Sequence, residues 1–297
     1  MRRKIITLYL ALFVVLAAPA AWADNRGALF KVQAGGHTLY LFGTMHVGLP
    51  SFYPLEPRIE QAIASANEVS LEVDPAQDPT LVGQAMVRYG FLPSGKKLED
   101  ILSAPERERL AKALKQANVD QATVAMYKPW LVATILSLGE YTAQGYRPDL
   151  SVDTYVAAQA RKAKVPVREL ESVSAQLALF DSLTPAEQRS FLLETLDAME
   201  NGKQAHEVKQ VVGAWAGADQ AVLDDIARRA EEDDTVSGRF LQKVLIEGRN
   251  GTLAGKLADQ LARDSSSVAA IGVLHLVGPK GIPALMRARG LAVERIY

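Results

Sequence analysis

Two apolar runs near opposite ends of the chain finish in the same local grammar. Tyr40-Leu41-Phe42 leads into Gly43-Thr44-Met45-His46-Val47-Gly48, and Ala269-Ala270-Ile271 leads into Gly272-Val273-Leu274-His275-Leu276-Val277-Gly278. Continuous apolar runs of this length are the pattern of strands covered on both faces. In open α/β sheets, ligands bind beyond the carboxyl ends of the strands. If the two runs pair in parallel, His46 and His275 emerge at one rim of one sheet.

The rest of the pattern supplies the surroundings. Alternation in Leu29-Phe30-Lys31-Val32-Gln33, then Gly35-Gly36, then His37 to Phe42 predicts a β-hairpin. Phe52, Tyr53, Pro50, Pro54 and Pro57 make a stiff loop able to wall a pocket, and Ile59, Ile63 and Ala66 stripe a helix over 56–67. Val69 to Asp74 reads as a strand stopped by Pro75, with Ser70, Glu72 and Asp74 on its second face. A carboxylate there is either solvated, paired with an arginine or functional, since an unpaired buried charge is costly. Residues 80–144 are mainly helical, with Ser103 as a cap and Lys128-Pro129-Trp130 opening a helix that ends near Gly145. A helix begins at Val152-Asp153, and Val165 to Leu170 is a short strand whose Pro166 favours its start or a sheet edge. Ser172 caps the next helix, and Thr184-Pro185-Ala186-Glu187 resembles a capping box. Residues 185–263 are almost all helical, interrupted by a turn signal at Arg249-Asn250-Gly251. After the buried strand Val268–Val273 come a closing helix from Pro279 to Arg289, a C-cap at Gly290 and a terminal strand over 291–296. The expected fold class is α/β, a central mixed β-sheet drawn from the N- and C-terminal segments with a large helical insertion between them.

Composition and charge narrow the function classes. Arg2, Arg3 and Lys4 precede an apolar run from Ile5 to Ala18, and Ala21-Trp22-Ala23 supplies the small residues of a signal peptidase site. Residues 1–23 are therefore expected to be a cleaved signal peptide, and residues 24–297 a single domain in the periplasm of a Gram-negative cell or secreted. The run is short for a span of about 20 apolar residues, and no later segment is long and apolar enough to cross a bilayer, so no membrane partner is expected after cleavage. The 297 residues contain no cysteine, which excludes disulfides, cysteine-ligated metal and covalent haem. Taking the leader's three basic residues from the total charge of −1 leaves −4, and no long basic run follows, so no nucleic-acid partner is expected.

The candidate chemistry rests on His46, Glu72 and His275. Two histidines and a glutamate are a common ligand set for a catalytic divalent metal such as zinc or manganese, leaving a position for water. Glu72 serves alternatively as general base, and Arg249 as a cation that stabilises an oxyanion or pairs with a carboxylate. His37, just after the hairpin turn, and His206, among charged neighbours, read as surface histidines.

Taken in order, several stretches resemble the TraB/PrgY/GumN family. They are Leu41 to Gly48, Phe52-Tyr53-Pro54-Leu55, Leu71-Glu72-Val73-Asp74, Lys128-Pro129-Trp130, Val152-Asp153, Leu170-Glu171 with Gln176, Arg249-Asn250, and Gly272 to Leu276. That family looks related to the Tiki metal-dependent proteases, which share paired Gly-x-x-His motifs and a glutamate. More distantly it resembles erythromycin esterases and ChaN-type haem-binding lipoproteins, implying a shared α/β core with a site at the strand ends. The resemblance implies a divalent metal (Mn, Co or Zn) on His46, Glu72 and His275, with Arg249 matching the family's Arg-Asn pair. Leu274 departs from the small residue that many members carry before the second histidine, which implies a narrower site. The leading expectation is a metal-dependent hydrolase of peptide or small-molecule substrates. The alternative is a non-catalytic periplasmic ligand-binding protein for haem, with Met45, Tyr53 or a histidine on the iron, or for an exported peptide.

Overall fold

The computed structural model describes residues 24–297. The expected signal peptide, residues 1–23, lies outside the described residues. Six strands form one sheet: β1 (Leu29–Ala34), β2 (His37–Thr44), β3 (Glu68–Leu71), β4 (Val167–Glu169), β5 (Ser266–Gly272) and β6 (Ala292–Arg295). Their order is β4-β3-β5-β2-β1-β6. β4, β3, β5 and β2 run parallel, while β1 is antiparallel to both β2 and β6, so the sheet is mixed as expected. The hairpin forms around Gly35-Gly36, and Pro166 precedes β4 at the sheet edge.

The pairing that matters most is β2 with β5. It runs in parallel register from Thr38 beside Ser266 to Thr44 beside Gly272. Leu39, Leu41 and Phe42 in β2 and Val268 to Ile271 in β5 are all buried, as continuous apolar runs require. Both glycine–histidine motifs therefore leave the sheet at neighbouring points of one rim. They also interlock, because a Cβ on Gly43 would stand 2.8 Å from Val273 Cγ2.

Helices Pro57–Ser65 and Val152–Lys162 pack on each other and on the sheet, as do helices Gly248–Arg263 and Ile282–Ala288. The insertion builds a second core, where Leu110, Leu114, Leu136, Leu192, Leu196 and Phe240 meet. Its helices start where the caps predict: Ser103 with Glu106 and Thr184 with Glu187 form capping boxes, and Ser172 accepts from the Ala175 amide.

Two expectations are corrected. The strand expected over 69–74 stops at Leu71, and its alternation does not mark a solvated face: Val69, Ser70, Leu71 and Glu72 are all buried. Ser70 is accommodated because its hydroxyl donates to Gln260 Oε1 at 2.9 Å. Nor does Arg249-Asn250-Gly251 form a turn. A π-helical segment, Phe240–Glu247, runs directly into helix Gly248–Arg263, which contains all three residues. Burial of Leu253, Leu257 and Leu261 and tertiary bonds to the Asn250 amide override the weak helix propensity of Asn-Gly.

The interlock of the motifs gives a stability prediction. Gly43→Ala should cost about 1–3 kcal/mol by overpacking against Val273. Gly213→Ala, in a helix interior with open space around it, should instead gain roughly 0.5–1 kcal/mol. Urea unfolding of Gly43→Ala, Val273→Ala and the double variant should show coupling of at least about 0.5 kcal/mol. Strict additivity would remove this contact as the cause.

Candidate active site

His46 lies two residues beyond β2, at the exposed lip of the rim. Its Nδ1–H donates to Asp153 Oδ2 at 2.9 Å, and Asp153 Oδ1 accepts the Thr44 hydroxyl at 2.7 Å. Asp153 is buried in the first turn of helix Val152–Lys162, which is docked on the motif by the Val152 amide donating to the Met45 carbonyl at 2.9 Å. Attraction to Asp153 and the hydrogen bond to it raise the His46 imidazolium to about 9. Solvent around a side chain that is 74% exposed screens part of that pull.

The second motif closes the other side. Beyond β5 the chain makes a 3₁₀ turn over Val273–Leu276 that buries His275. The Asn250 amide donates to the Lys280 carbonyl at 2.8 Å, so its oxygen faces the ring and accepts from His275 Nδ1–H at 2.6 Å. That leaves Nε2 as the imidazole's acceptor, 3.2 Å from Arg249 Nη1. Burial lowers the His275 imidazolium to about 4 despite the opposing pull of Glu72, so the ring is neutral near pH 7.

Glu72, one residue past β3, reaches across the rim. Its Oε1 accepts from the Gly272 amide at 2.8 Å, where a Cβ on Gly272 would press to 3.2 Å from that same oxygen. Its Oε2 accepts from Arg249 Nη2 and, at 3.3 Å, from Gln176 Nε2, and lies 3.9 Å from His275 Nε2. Burial alone would raise the Glu72 carboxyl, but His275, Arg249, His46 and the Gly272 amide outweigh it and hold it at about 2. Glu171, two residues past β4, completes the cluster by accepting from Arg249 Nε and Nη2 and from Gln176.

Glu72, Arg249 and His275 are thus in direct contact, and His46 stands in the same electrostatic field from the lip. Asp153, Asn250, Glu171 and Gln176 hold them. Their sequence signal was only that each sits just beyond a strand or early in a helix within the ordered family pattern. His37 and His206 stand apart: His37 Nδ1 bonds the Leu261 carbonyl at 2.9 Å, and His206 lies on helix Lys203–Ala216 of the insertion. Met45 is buried in the core, and Tyr53 stacks on Tyr155 and donates to the Leu150 carbonyl, so neither presents a free iron ligand. Leu274 lines a small cavity with Ile226, Ala227 and Ile246 that none of Glu72, Arg249 and His275 borders.

The donor chemistry suits a divalent metal: two imidazoles oriented through Nδ1, and a carboxylate. The geometry as it stands does not. Arg249 bonds both Glu72 and His275, and among the described residues no three His, Cys, Asp or Glu side chains group as metal ligands.

The chain belongs to the TraB/PrgY/gumN family, whose model matches residues 28–295. It is similar to the Uncharacterized protein YbaP of Escherichia coli (strain K12), 24% identical over 275 residues that cover 90% of this chain and 96% of that protein. The protein of the same name from Shigella flexneri matches with the same identity and coverage. No solved structure matches the chain.

The cluster should make the fold acid-sensitive. The folded His275 pKa, about 4, lies below its ordinary 6.5, so the unfolded chain takes up the proton first and stability falls as pH drops from 6.5 to 4, by as much as ~3 kcal/mol. Glu72, held at about 2 against 4.5, contributes stability above 4.5 that is lost as pH falls towards 2. Urea unfolding across pH should show both windows, and His275→Gln should flatten the first. An unchanged slope between pH 6.5 and 4 in that variant would contradict the assignment.

Proposed function

We propose that the chain is an exported hydrolase that cleaves peptide bonds at the strand-end rim. The observation that carries this reading is that both motif histidines bond a buried acceptor through Nδ1, Asp153 for His46 and Asn250 for His275. Partners of this kind fix the tautomer and orientation that a catalytic or ligating imidazole needs. In this reading Glu72 takes the proton of the attacking water, and His46, cationic beside Asp153, returns a proton to the leaving amine. Arg249 offers its charge to the developing oxyanion. A divalent metal (manganese, cobalt or zinc) belongs to this proposal only in a state in which Arg249 has left the cluster. His46, Glu72 and His275 would then hold it, and it would supply Lewis acidity at the rim.

Peptide as the substrate class draws on the resemblance to the Tiki proteases. Export draws on residues 1–23, and a periplasmic or secreted location follows from it. Among the described residues no helix is long and apolar enough to cross a membrane. The negative charge of the chain without its leader argues for a peptide or small-molecule partner rather than nucleic acid.

The chain without its leader, incubated with a mixed peptide library with and without manganese, cobalt or zinc, should yield fragments detectable by mass spectrometry. Glu72→Gln and His46→Ala should each lower cleavage by about 10²–10⁴-fold with circular dichroism unchanged. Peptides bound but uncut, equally by wild type and Glu72→Gln, would replace the hydrolase with a non-catalytic ligand-binding protein. A haem Soret shift without peptide turnover would do the same.

A further inference from the structure

The rim already contains a cation. Arg249, whose side chain is only 11% exposed, donates through Nε to Glu171, through Nη2 to Glu72 and Glu171, and through Nη1 to the Leu245 carbonyl at 3.0 Å and His275 Nε2 at 3.2 Å. Two carboxylates and a neutral imidazole nitrogen are also the donors that a divalent metal takes. We propose that Arg249 is a built-in counter-cation that competes with a divalent metal for Glu72 and His275, so that the site is either arginine-closed or metal-loaded. This inference rests on the ligand set of the hydrolase reading and adds what controls its occupancy.

Two physical constraints make the states exclusive. A neutral imidazole with its proton on Nδ1 has one in-plane lone pair, on Nε2, and that pair accepts from Arg249 or binds a metal, not both. The second constraint is charge. One buried and one partly buried carboxylate with one guanidinium leave one negative charge in the cluster, whereas a divalent ion set beside the guanidinium would place like charges together where screening is weak. The arginine is also placed to leave. It lies in the first turn after the π-helical segment Phe240–Glu247, an irregularity that recurs at functional sites, and its long stem allows the head to withdraw while the helix stays docked through Leu253 and Leu257.

The test is calorimetric titration of manganese and zinc into wild type, Arg249→Met and Arg249→Lys, with metal content read by mass spectrometry after dialysis. Arg249→Met should bind metal at least tenfold more tightly than wild type, with Arg249→Lys in between. Adding His275→Ala to Arg249→Met should abolish the gain. If Arg249→Met does not fold by circular dichroism, the ratio of Arg249→Lys to wild type decides. Equal affinity across wild type and the arginine variants would overturn the competition while leaving the hydrolase reading standing. Metal bound by none of them would overturn both the competition and the proposed ligand set.

Discussion

The parallel pairing of β2 with β5 is the constraint on which the site depends. Neighbouring strands lie about 4.8 Å apart, and the register ends with Thr44 beside Gly272. Whatever follows those two residues starts from adjacent points, whatever their separation in sequence. The first glycine of one motif then lies where any side chain would collide with the valine of the other, and the first glycine of the second offers its amide to Glu72. A slip of this register would carry His46 away from His275 and from Glu72, which the pairing of β3 with β5 holds on the other side of the second motif. The motif glycines here serve close approach.

Around that rim the electrostatics are those of a buried network. Removing charges from water is expensive, and their attraction offsets the cost only where geometry is good and the remaining donors and acceptors are filled. Glu72, Glu171 and Arg249 meet this condition jointly, with Gln176 bridging the two carboxylates and the Gly272 amide donating to the other oxygen of Glu72. No pair within it can be assigned a separate worth, because each group is shared. Removing Arg249 would leave the buried Glu72 and the partly buried Glu171 without their shared cation, an arrangement that another cation suits and an apolar side chain does not.

The fold was legible where side-chain pattern and tertiary role coincide. The hairpin, the buried runs of β2 and β5 and the helix caps all follow from local rules, and their convergence at one rim follows from the rule for strand ends in α/β sheets. Legibility failed where the deciding contact is distant. For Glu72 the pairing with an arginine is among the alternatives the sequence offers, but no local signal names Arg249 as that arginine or the Gly272 amide as its second partner. Asn250 was read as part of a turn because Asn-Gly favours one locally, yet its amide is held between His275 and Lys280. Asp153 looks like an ordinary first-turn acid that complements the helix dipole, and nothing local reveals that it binds Thr44 and His46.

The two histidine partners differ for a reason that the hydrogen bonds make explicit. At position 153 two donors converge, the Thr44 hydroxyl and the His46 ring N–H, and a carboxylate has two oxygens to accept both. At position 250 the neighbours are one donor and one acceptor, the His275 ring N–H and the Lys280 carbonyl, and an amide satisfies the two together where a carboxylate, with acceptors alone, does not. The choice also sets the charge of each ring. Asp153 favours a cationic His46 at the solvated lip, while a neutral Asn250 adds no further negative charge behind His275, which already faces Glu72. One imidazole is thereby kept as a proton donor and the other as a lone-pair donor. Two histidines from near-identical motifs thus acquire different chemistry from the single residue that each holds through Nδ1.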